Sequence, residues 1–196
     1  MCAMSEAENP IPVDPVPDDP VPDDPVPDDK DWTWVLDTTC PECGFVAGAV
    51  DPTEVAGMLR ENTTRWFAQL SRPDVGVRPS PQTWSPLEYG CHVRDVHVLY
   101  LERLDMMLTQ DGPSYPNWDQ DETAKAKRYH EADPATVAVE LQAASDALAA
   151  RFEQVTAEKW SRTGYRSDGA EFTIATFAQY FIHDPVHHLH DVGERG

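Results

Sequence analysis

Basic residues are scarce in this chain, and long apolar runs are absent. Fifteen lysines and arginines face 35 aspartates and glutamates over 196 residues, a formal net charge of -20 with a pI near 4.4. An acidic excess of this size repels phosphate backbones and anionic lipid, so neither a nucleic-acid partner nor a membrane surface is expected. No stretch of 18 or more apolar residues occurs, which argues against a transmembrane helix. Met1–Pro10 has no basic region followed by an apolar run, so no secretory signal is read there. Cysteine is sparse as well. Cys2, Cys40, Cys43 and Cys91 are too few for a disulfide framework in a chain of this length. A reducing, cytoplasmic setting is the expectation. What remains, with 40% hydrophobic residues, suffices for one domain with a sizeable core.

The acid is unevenly spread. Residues 1–31 hold ten acids against the single base Lys30, a net -9, which leaves -11 for the rest. Pro-Val-Pro-Asp-Asp repeats at 15–19, 20–24 and 25–29. Proline removes backbone donors and favours extended polyproline II, and adjacent aspartates repel. Such a segment buries too little apolar surface to offset its ordering entropy, so 1–31 reads as a disordered acidic arm. Residues 32–50 read as a short extended segment at Trp32–Leu36 followed by a loop, Cys40-Pro-Glu-Cys43-Gly44.

Residues 51–196 carry four helical patterns. Asp51-Pro52-Thr53-Glu54 and Ser85-Pro86-Leu87-Glu88 both place a capping residue before a proline and a glutamate in the first turn. Val55, Met58, Leu59, Trp66, Phe67 and Leu70 give the first helix its apolar set, and the second runs to about Gln110. After a long loop (111–132), Asp133-Pro134 opens a third, whose stripe includes Val137, Leu141, Leu148 and Phe152. The fourth spans about Phe172 to Val192. No run of strands is visible. The expected fold is all-α: an antiparallel four-helix bundle with long connections, preceded by the acidic arm and the cysteine loop.

Four of the seven histidines lie close together: His183, His187, His188 and His190. His183 and His187, four apart, stand one turn apart on one helix face and can share an ion. A third ligand must come from elsewhere, and His92, two turns into the second helix, is the best candidate. Three imidazoles leave an open position, as a catalytic metal requires. Two features oppose this. Ile174, Ala178, Phe181, Pro185, Leu189 and Val192 form the apolar stripe, with His183 and His187 opposite it. Either both helix faces are covered or the histidines face solvent, where the helix C-terminus favours imidazolium. Pro185 should also kink the helix. Asp95, Asp184 and Asp191 are candidates to orient ligand imidazoles, and Arg94 to grip a substrate carboxylate, although each is also an ordinary surface charge. His97, His130, His188 and His190 receive no role. Trp66, Phe67, Phe152, Phe177 and Phe181 read as core.

The Cys40-x-x-Cys43-Gly44 knuckle offers two thiolates to one zinc but lacks a second cysteine pair. Histidines or an acid elsewhere, or a second subunit, could complete it. A redox pair or two free thiols in a tight turn are the other readings. The pair is expected to be separate from the histidine site. Cys91 reads as a small buried residue.

Trp84-Ser-Pro-Leu-Glu88, then His92-Val-Arg-Asp95, then His183-x-x-x-His187 resembles the DinB-like four-helix metalloprotein superfamily, over roughly 50–192. The resemblance implies a divalent metal on His92, His183 and His187, with zinc first and nickel or iron as alternatives. It also implies relatives that use a low-molecular-weight thiol: mycothiol-dependent maleylpyruvate isomerases and thiol S-transferases. A metal would hold such a thiol as thiolate, the attacking form. The implied partners are a small-molecule thiol or an electrophilic substrate, and homodimers are common among such bundles. The competing functions are a non-catalytic or stress-related metal-binding protein and an interaction module acting through the acidic arm.

Overall fold

The computed structural model describes residues 31–193, so the acidic arm read at 1–31 lies outside the described residues except for Asp31. Helices begin where the capping signals stand. Asp51 accepts from the Thr53 N–H at 2.9 Å, and a 3-10 turn at Pro52–Glu54 leads into α1 (Val55–Leu70). Ser85 caps α2 (Pro86–Thr109) in a reciprocal box: its Oγ accepts from the Glu88 N–H, and the Glu88 carboxylate accepts from the Ser85 N–H at 2.9 Å. Of the later helices, α3 (Gln120–Ala126) is short, and α4 (Pro134–Phe152) starts at Asp133, which accepts from the Thr136 N–H at 2.8 Å. A second capping box, Thr173 with Thr176, opens α5 (Ile174–Asp191).

Helix α4 packs most extensively on α1 and α2, and α5 completes the bundle against the same two helices. Their apolar stripes meet in a core of Leu59, Leu104, Leu148, Phe152, Phe177 and Phe181, among others. Among the described residues, no helix is long and apolar enough to cross a membrane.

The purely helical expectation is corrected by a three-stranded sheet. Strands β1 (Ser114–Tyr115), β2 (Thr163–Arg166) and β3 (Glu171–Thr173) lie in that order, with β1 parallel and β3 antiparallel to β2. The expected loop 111–132 therefore contains both a strand and α3. Trp32–Leu36, read as extended, is instead a 3-10 turn over Thr33–Leu36. Residues 32–50 lie against α5. Val35, Cys40 and Ala47 are fully buried, and Gln179 of α5 donates to the carbonyls of Gly48 and Val50. The covered-on-both-faces alternative for α5 is thus the one the protein adopts. The helix also runs through Pro185 without a break in its assignment. The Pro185 carbonyl accepts from Asn62 Nδ2 at 3.1 Å and Trp66 Nε1 at 3.4 Å, which anchors α1 to this point.

Candidate metal centres

Successive residues of a helix point about 100° apart, so α5 presents two donor pairs on two faces, offset by one residue. His183 and His187 form one pair; Asp184 and His188 form the other.

The first pair faces the N-terminal segment. Cys40 Sγ lies 3.6 Å from His187 Nδ1, and Cys43 Sγ lies 3.7 Å from His183 Nε2. One donor atom from each of these four residues falls within 4.8 Å of all the others. The knuckle is shaped by backbone bonds, Gly44 N–H to the Cys40 carbonyl at 2.8 Å and Cys40 N–H to the Phe45 carbonyl at 2.9 Å. Gly44 sits at φ 74°, a left-handed conformation that glycine tolerates without strain. The Trp32 ring packs against both imidazoles, with ring centroids 5.6 Å from His183 and 5.0 Å from His187. Burial pushes the Cys43 thiol up to about 11, against a backbone hydrogen bond from Phe45 that favours thiolate. Burial, reinforced by the neighbouring His187, pulls His183 down to about 4.

The second pair meets α2. Donor atoms of His92, Asp184 and His188 lie within 4.8 Å of one another. His92 Nε2 is 3.4 Å, and His188 Nε2 3.8 Å, from Asp184 Oδ2. Burial opposes the charged form of Asp184, yet the two imidazoles hold its carboxyl well below the usual carboxylate range. His188 Nδ1 bonds Asp191 Oδ2 at 2.8 Å, which leaves Nε2 facing the cluster. Trp118 stacks on the His92 ring at 5.3 Å, and Trp84 and Tyr89 flank His92 and His188. Beside both clusters opens a cleft of about 510 Å³, lined by Trp32, Tyr100, Trp118 and Tyr180 together with His183, Asp184, His187 and His188.

The expected grouping of His92 with His183 and His187 is therefore redistributed. His183 and His187 go to the cysteines, and His92 goes to Asp184 and His188. The cysteine pair, expected to stand apart from the histidines, lies within 4.8 Å of His183 and His187 donor atoms. Asp184 offers a donor atom to the second cluster, and Asp191 bonds His188 Nδ1. Asp95 points elsewhere: its carboxylate accepts from Arg94, Lys127 and the Tyr129 hydroxyl. Arg94 is held by Asp95 and Glu140, and Cys91 is buried. His188 is the site residue the sequence reading missed, although Asp184 and His188 stand four apart as His183 and His187 do.

Chemically, His92, Asp184 and His188 suit a divalent ion. Two neutral nitrogens and a carboxylate are a common donor set, and three ligands leave positions for water or substrate. Among the described residues, His92 Nδ1 and Asp184 Oδ1 are buried without a hydrogen-bond partner. A bound ion at this cluster would offset part of that cost. Asp191→Asn should weaken metal binding here about 10–100-fold by removing the acceptor that fixes His188. Isothermal titration of the purified protein with zinc checks this, and an unchanged affinity would remove Asp191 from the site.

No curated protein matches the chain. Among solved structures, YfiT from Bacillus subtilis superposes with a TM-score of 0.64 at 19% identity, over 71% of this chain and 82% of its own. That protein is described as a probable metal-dependent hydrolase with an unusual four-helix bundle topology. The DinB superfamily model matches residues 57–192, which include all four long helices from near the start of α1 to the end of α5, and the chain belongs to that superfamily.

Proposed function

We propose that this protein is a metal-dependent enzyme whose ion is held by His92, Asp184 and His188, and that it acts on an electrophilic small molecule with a low-molecular-weight thiol as nucleophile. The observation that carries this is three convergent donors, rather than four, beside a cleft of about 510 Å³. When bound, a divalent ion supplies Lewis acidity, which favours the thiolate of a coordinated thiol or lowers the pKa of water. The chain supplies the rest. Asp191 keeps the His188 ring in the orientation that presents Nε2. Trp118 and Trp84 restrict the His92 ring. Asp184 contributes the negative charge that draws a divalent ion. Trp32, Tyr100 and Tyr180 give the cleft an aromatic wall for a small substrate, beside the charged side chains of Arg103, Arg166 and Asp168. A thiol-dependent S-transfer or isomerisation, by a homodimer in a reducing cytoplasm, is the fuller form of this reading.

The structural likeness to YfiT favours a second reading, hydrolysis, in which water takes the place of the thiol. The experiment that separates them uses the full chain reconstituted with zinc or nickel. Mycothiol is offered with a fluorogenic electrophile in one assay, and ester and amide substrates are offered without thiol in another. Metal-dependent thiol consumption that falls more than about 100-fold in His92→Ala supports thiol transfer. Turnover only without thiol would move the assignment to hydrolase. Stoichiometric metal with neither activity would favour the non-catalytic alternative.

A further inference from the structure

We infer that Cys40, Cys43, His183 and His187 form a second metal centre, a closed Cys2His2 zinc site that fastens the N-terminal segment to α5 and holds one wall of the cleft in place. It does not depend on the enzymatic reading, because its donors are different residues.

The argument begins with distances. A tetrahedral zinc ion, with bonds of about 2.3 Å to sulfur and about 2.0–2.1 Å to imidazole nitrogen, separates a sulfur ligand from a nitrogen ligand by about 3.6 Å. The two sulfur–nitrogen pairs here stand at 3.6 and 3.7 Å. All four donors lie within 4.8 Å of one another, so one ion can reach each of them. The cluster has two thiols and two imidazoles largely withdrawn from solvent: Cys40 is fully buried, His183 and His187 are each 5% exposed at the edge of the cleft, and Cys43 is half-buried. Four protein donors with no vacant position are the mark of a structural site, in contrast to the three at His92.

Surrounding groups are placed as outer partners of such a site. His187 coordinates through Nδ1, and its Nε2 lies 3.3 Å from Glu42 Oε2 and 3.7 Å from Asp191 Oδ1. Carboxylates at the far nitrogen fix the ring and raise its basicity. Asp191 thereby touches both centres, through His188 on one side and His187 on the other. Trp32, tilted against the His183 ring and edge-on to the His187 ring, also lines the cleft. Residues 32–50 contain only short 3-10 turns, and a four-donor clamp supplies fixity that hydrogen bonding within such turns does not.

The test uses the reduced full-length chain loaded with cobalt in place of zinc. Tetrahedral cobalt with thiolate ligands gives an ultraviolet sulfur-to-metal charge-transfer band and intense visible d–d bands. One thiolate-bound equivalent per chain is expected, and zinc should displace it. The band should vanish in Cys40→Ser/Cys43→Ser and in His183→Ala/His187→Ala, and persist in His92→Ala. The wild-type spectrum alone decides the matter even if a variant fails to fold. Absence of the band means that the sulfur–nitrogen contacts are thiol–imidazole hydrogen bonds only, and the proposal falls. Persistence of the band in the double histidine variant overturns the ligand set. Loss of activity in His92→Ala with the band intact leaves this site standing whatever the fate of the enzymatic reading.

Discussion

Phe181→Ala is expected to destabilise the protein by about 3–5 kcal/mol, the cost of emptying a well-packed aromatic site. Phe181 is fully buried at the middle of α5. Its ring lies 4.9 Å from Tyr100, 5.4 Å from His97 and 6.1 Å from Phe152, so α2 and α4 both lose a partner when it is removed. Rigid packing around it limits how far the cavity can collapse. The residues immediately after it carry the four α5 side chains of the two candidate clusters, so loosening here should also weaken metal binding at them. Urea unfolding with and without added zinc measures both effects, and Phe181→Leu should cost less. A penalty under about 1 kcal/mol would show that α5 is not wedged at this point.

Glu88→Ala should cost about as much, roughly 3–5 kcal/mol, for a different reason: it removes one partner of a buried ion pair. Glu88 is 2% exposed. Its carboxylate closes the α2 capping box, accepts from the Ser85 hydroxyl at 2.8 Å, and takes the Arg78 guanidinium in a forked arrangement with contacts of 3.0 and 3.1 Å from Nε. Burial raises the cost of its charge, but Arg78 and Ser85 prevail and hold the carboxyl below its ordinary value of 4.5. A carboxyl depressed in the folded state contributes stability above its unfolded value and loses it as pH falls through the folded one. The penalty of Glu88→Ala should therefore be full at pH 7 and shrink in acid below pH 4.5. Equal penalties at both pH values would mean that the carboxylate's charge is not what stabilises the box.

The helix starts were legible because their chemistry is local. Asp51-Pro52, Ser85-Pro86 and Asp133-Pro134 each announce a helix within four residues, and each helix begins there or one 3-10 turn later. The sheet was not legible, since strands of two to four residues show no usable alternation. The fourth helix was read two residues early because β3 fills Glu171–Thr173. At the metal centres the donor types were visible but their partition was not. The wheel correctly set His183 and His187 opposite the apolar stripe. What covers that face is a segment about 140 residues earlier in the chain, and no periodicity within α5 reports it. The second centre escaped because one of its α5 donors is an aspartate: a search for paired histidines passes over Asp184-x-x-x-His188.

The one-residue offset between the two α5 donor pairs makes this helix a ruler. Deleting a single residue between Ile174 and Ile182 turns every donor through about 100° and shifts it along the axis by about 1.5 Å. His188 would then rotate toward the cysteines, and Asp184 would move onto the face that His183 had occupied. The four side chains would still be present, and the composition of the helix would hardly differ, yet each proposed ion would meet the wrong set. For α5 the length of chain between its capping box and its donors is therefore as constrained as the donors themselves.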